Sequence, residues 1–64
     1  MATKDELRAK FLKAYANLPA PERSQVVAII DNEPYSWNAA NAEISSNTQL
    51  GEEILKKMEL LGIL

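Results

Sequence analysis

Three prolines cut this chain into short pieces, and that punctuation limits its fold more than any other feature of the sequence. A proline lacks the backbone N–H that a helix interior needs, and it pushes the residue before it out of the α conformation. Asn17-Leu18-Pro19-Ala20-Pro21 is therefore one break, and Asp31-Asn32-Glu33-Pro34 is a second, reinforced by Asp and Asn side chains that bond to the local backbone. With 64 residues in all, the pieces must share one core and form one domain, residues 1–64.

The first piece reads as a helix. Thr3 and Glu6 have capping-box spacing, and Leu7, Phe11, Tyr15 and Leu18 fall on one face while Glu6, Lys10 and Lys13 fall on the other. Pro21 suits the first position of a second helix, and Glu22 suits its positive end. The run Val26, Val27, Ile29, Ile30 also reads as a buried strand, but no second strand-like run stands beside it to pair, so a short second helix is the expectation. A third helix, capped by Ser36 or Asn32, carries Trp37, Ala40, Asn41 and Ile44 at helical spacing. A fourth runs from Gln49 to Leu61 behind Asn47 or Thr48, with Leu50, Ile54, Met58 and Leu61 as its stripe. Gly62 in the left-handed C′ position would end it in a Schellman motif, with Ile63 against Met58.

The expected fold class is all-α: a compact four-helix single domain with short connections, a small helical bundle. Its core is expected from Leu7, Phe11, Tyr15, Val27, Ile30, Trp37, Ile44, Leu50, Ile54, Met58 and Leu61. Apolar residues make up 47% of the chain and charged residues 25%, which places it among globular rather than disordered sequences. Much of the apolar share is alanine, so a core of this size is expected to supply only about 3–5 kcal/mol. Self-association is a natural supplement.

Several function classes lose support on composition. Without cysteine or histidine there is no thiolate ligand, no thiol nucleophile and no side chain that ordinarily titrates near neutrality, and two glycines make no phosphate-binding loop. No enzyme activity, cofactor or metal is expected; Asp31 and Glu33 read as a solvated turn, Glu52 and Glu53 as helix-start charges. No apolar run approaches the roughly 18 residues of a membrane span, and Met1-Ala2-Thr3-Lys4-Asp5-Glu6 is charged where a signal peptide would be apolar, so the cytoplasm is the expected compartment. A net charge of −2 disfavours nucleic acid as a partner.

Two resemblances add to this. The segment Asn41-Ala42-Glu43-Ile44 through Ile54-Leu55-Lys56-Lys57-Met58-Glu59-Leu60-Leu61-Gly62-Ile63-Leu64 resembles the second half of a winged-helix or helix-turn-helix unit. That resemblance implies a DNA-binding regulator with Thr48, Gln49, Lys56 and Lys57 as contacts, its lysines (Lys10 and Lys13 included) gathered on one surface. Glu52 and Glu53 at the front of that helix would meet phosphate unfavourably, and the wing strand that follows in such families has no counterpart before Leu64. From about Tyr15 to Leu64 the whole pattern also resembles short prokaryotic helical proteins of no assigned function, which implies a compact helical fold and no catalytic residue. The leading functional expectation is a small protein-interaction module, a homodimer or other self-assembly. Its candidate surface is Tyr35, Trp37, Asn38 and Asn41 together with the apolar tail Leu60, Ile63 and Leu64.

Overall fold

Helix α1 (Lys4–Ala16) starts where the capping residue places it: the Thr3 hydroxyl accepts from the Glu6 amide at 3.2 Å. The computed structural model describes residues 3–64; Met1 and Ala2, which open the charged N-terminal stretch and the domain range, lie outside it. After α1 the chain makes a single 3₁₀ turn (Glu22–Ser24), then strand β1 (Val26–Ile30) and strand β2 (Glu33–Ser36). Helices α2 (Trp37–Ser45) and α3 (Gln49–Leu60) follow.

The all-α four-helix expectation is therefore corrected in its second element, where a β-hairpin replaces a helix and the molecule is not a helical bundle. β1 and β2 form a two-stranded antiparallel sheet with Ile30 opposite Glu33, Ile29 opposite Pro34 and Ala28 opposite Tyr35. Asp31 (φ 50°) and Asn32 (φ 68°) both occupy the left-handed region, as a two-residue type I′ loop requires. Such a loop closes on a hydrogen-bonded pair, here Ile30–Glu33, so the next pair, Ile29–Pro34, is a non-bonded one. Pro34 thus stands where its missing N–H would have faced away from β1, and it leaves the ladder intact. The β-branched residues of β1 follow their strand preference because this unpromising partner can pair after all.

The hairpin runs straight into α2. The Gln25 carbonyl accepts from the Trp37 amide at 3.2 Å, and the Ser36 hydroxyl caps α2 by accepting from the Ala39 amide at 3.1 Å. Both later helices end in the same device. In α2, Asn47 (φ 57°) is the left-handed C′ residue, and the Thr48 amide reaches back to the Glu43 carbonyl at 3.3 Å. In α3, Gly62 (φ 77°) takes that position and the Ile63 amide donates to the Met58 carbonyl at 2.9 Å, the Schellman motif that the sequence predicts.

One core joins these elements: Leu7 and Phe11 from α1, Ala28 from β1, Ala40 and Ile44 from α2, and Ile54, Leu55 and Met58 from α3. Phe11 lies at its centre, fully buried, with the Tyr15 ring centroid at 6.0 Å and that of Trp37 at 5.4 Å. Tyr15, Val27, Ile30, Trp37 and Leu50 pack against the core half-buried. Leu61 is the expected core residue that does not belong, being 59% exposed; Leu55 is buried on α3 in its stead. The reason is geometric. α1 covers the side of α3 that carries Leu55, beside Lys4 and Leu7, whereas the turn at Gly62 ends the helix with Leu61 outside.

Polar ties hold the helices in place. The Tyr15 hydroxyl donates to Asn38 Oδ1 at 2.6 Å, joining α1 to α2. The Arg8 guanidinium donates to the Ile44 carbonyl at 3.0 Å. Arg23 donates through Nε to the Tyr15 carbonyl at 3.2 Å while its guanidinium carbon lies 4.4 Å from the Tyr15 ring centroid, so one cation serves a helix C-terminus and a π face together.

Candidate interaction surface

β1 has one partner strand and one open edge. β2 lies on one side, so the backbone N–H and C=O of Ile29, which belongs to a non-bonded pair, point to the other. Two of its side chains are turned out as well: Val26 is 56% exposed and Ile29 59%, while Ala28 points into the core. The irregular register between Val26 and Ala28 is a bulge that adjusts which side chains face outward at that end of the strand. Beside the strand, Lys57 and Leu61 of the last α3 turn form the far wall of a groove of about 320 Å³ with Val26, Val27, Ala28 and Ile29. Lys57 is the one charge in its lining.

This strip is unlike an ordinary strand edge. Edges are commonly blunted by a lysine, a proline, a short length or a bulge; β1 has five uncharged residues without proline, and its bulge is confined to the Val26–Ala28 end, which leaves Ile29 open. β2 carries Glu33 and Pro34. Covering the exposed halves of Val26, Ile29 and Leu61 is worth roughly 3 kcal/mol per molecule, only the lower part of the ~4–15 kcal/mol lost on association even when two copies contribute. Side chains alone leave little surplus, so a partner on this strip gains from the open backbone as well.

The surface expected from sequence is divided by the fold. Trp37 is half-buried against Phe11, and Asn38 is engaged by Tyr15. Asn41 is half-buried, with the Ser45 hydroxyl 3.5 Å from its Oδ1. Tyr35 is half-buried; desolvation raises its hydroxyl pKa above the ordinary value, and the neighbouring Glu33 carboxylate adds to the rise. In the tail, Leu64 packs on the core, Ile63 is exposed, and Leu60, 83% exposed, borders a different cleft. That cleft, about 420 Å³, lies between α1 and α3 and is lined by Lys4, Leu7, Glu52, Leu55, Lys56, Glu59 and Leu60. Sequence reasoning missed Val26 and Ile29 as surface residues; the Asp31-Asn32 pair directly after a β-branched run was the available signal.

The contacts proposed for DNA are also separated. Thr48 is committed internally, its hydroxyl accepting from the Gly51 amide at 3.0 Å and donating to Glu43 Oε1 at 2.8 Å. Gln49 is exposed. Lys56 lines the α1–α3 cleft and Lys57 the β1 groove, so adjacent lysines serve different faces of α3. Glu52 forms an ion pair with Lys4, whose hydrogen bond and charge hold the carboxyl below its ordinary pKa.

Among the described residues no helix is long and apolar enough to cross a membrane, and no three acidic side chains cluster as metal ligands would. No family model matches the chain, and no curated protein or solved structure is similar enough to indicate a family.

Proposed function

We propose that this protein is a small α+β interaction module of the cytoplasm that works by self-association, with the β1 edge and the end of α3 as its working surface. One observation carries the reading: Val26, Ile29 and Leu61 are each more than half exposed around a single groove, in a chain whose core is too small to spare them. Sedimentation velocity from micromolar to millimolar protein tests it. The expected result is a mass that rises from the monomer's 7.1 kDa with concentration; a mass fixed at that value throughout refutes self-association.

A second reading is a DNA-binding regulator of degenerate helix-turn-helix type. It is favoured by the connection of α2 to α3 through the three-residue turn Ser46, Asn47 and Thr48. Anisotropy of a labelled mixed-sequence duplex separates the two readings. Saturable binding that weakens steeply with salt supports the DNA reading, and no binding at low salt removes it.

A further inference from the structure

We infer that the partner on the β1 edge is a second copy of this chain, whose β1 pairs antiparallel with the first to make a continuous four-stranded sheet across a two-fold axis. The inference rests on the self-association reading and specifies its geometry.

Three observations support a second copy over a foreign strand. First, a two-fold axis sets a strand against its own sequence, so any charge in it brings its like within reach across the seam. Val26–Ile30 contains none, so β1 can face itself without repulsion. Second, the charges flanking it are complementary between copies. The groove contributes Lys57, and the hairpin tip contributes Asp31 and Glu33, both exposed. Antiparallel pairing carries the acidic tip of each strand past the far end of its neighbour, along the flank that holds the lysine. Third, the surface extends beyond the strand. A stable interface takes about 800 Å² from each partner, about a fifth of this molecule's 4179 Å². A five-residue strand cannot supply that alone, but strand and α3 end together are contiguous through the groove. In such a pairing the Ile29 N–H and C=O, open in the single chain, become a bonded pair with the other copy.

The test is concentration-dependent and has two readouts on the whole chain. In hydrogen exchange of wild-type protein, the Ile29 amide is expected to exchange fast in dilute solution and to gain at least tenfold protection at millimolar concentration. In sedimentation equilibrium, I29K, which sets a lysine on the edge, is expected to weaken the dimer at least tenfold, while L12K, on an exposed site of α1 outside the groove, leaves it unchanged. A wild-type dimer in which the Ile29 amide stays fast overturns the edge pairing but leaves self-association standing. A wild-type chain that remains monomeric overturns both. The exchange measurement needs no substitution, so it decides the matter even if I29K does not fold.

Discussion

The chain turns at two corners built from the same rare conformation, both with exposed loop residues, but the groups beside them are used differently. Between α2 and α3, Asn47 is left-handed; between β1 and β2, Asp31 and Asn32 are. At the helical corner the residues that follow the turn are committed to packing and capping. Thr48 caps α3 and bonds Glu43, and Gly51 lies so close to α2 that a Cβ placed on it would be 2.7 Å from the Glu43 carbonyl oxygen. At the hairpin corner the loop is exposed and one strand edge is unpaired. A left-handed residue therefore marks a turn without saying whether the turn is structural support or accessible surface; its neighbours decide that.

The contrast can be broken at the helical corner first. Gly51→Ala meets three backbone atoms of α2, at Glu43 and Ile44, within 3.0 Å, so it should destabilise by about 1–3 kcal/mol in urea unfolding, the usual cost of overpacking. In an ordinary exposed helix the same change stabilises. A neutral or stabilising result would mean that α2 and α3 can separate freely, and the two corners would no longer differ. Thr48→Ala comes next, expected to cost about 0.5–2 kcal/mol through loss of the cap, with Glu43 left without its hydroxyl partner.

The hairpin corner should respond in the opposite direction. Asn32→Gly supplies the residue that a left-handed φ favours and is expected to raise stability by a few tenths to about 1 kcal/mol. A loss there, measured by thermal melting, would show that the Asn32 side chain does more than tolerate the conformation. The smallest effect concerns Glu52, outside both corners. Its pKa is lowered in the folded protein by the Lys4 hydrogen bond and charge, so its contribution is present above the ordinary carboxylate pKa and is lost as pH falls through the lower folded value. Glu52→Gln should therefore be slightly less stable than wild type at neutral pH, and the two unfolding midpoints should converge as pH falls below the lowered folded value.

The helices were legible because their ends carry chemistry that acts locally. Thr3, Ser36, Thr48 and Gly62 each perform at their own position the capping role their side chain, or lack of one, suggests. The hairpin was not legible, since β2 reads Glu-Pro-Tyr-Ser, and its fitness as a strand depends on which way one proline's nitrogen faces. That is a property of register, fixed only when Ile30 meets Glu33. The apolar residues were legible as a group but not by depth. Period two places Ala28 inward and Ile29 outward, where helical spacing cannot, and Leu55 is buried because α1 lies over a second face of α3. The β1 groove was not legible: Leu61 reads as a core residue, Leu60, Ile63 and Leu64 do not line the groove, and the outward residues of β1 were hidden by the helical reading.

Pro34 has an effect beyond the single molecule. Its ring occupies the side of β2 that faces away from β1, so a strand approaching from there finds a gap where a donor should be. Growth of the sheet is therefore one-sided: a second hairpin can add at β1, but the resulting pair presents a proline at each outer margin. In polymer terms the proposed pairing would give each molecule a single reactive end, and such units would couple once and terminate, confining an apolar, uncharged strand to finite assemblies rather than fibres.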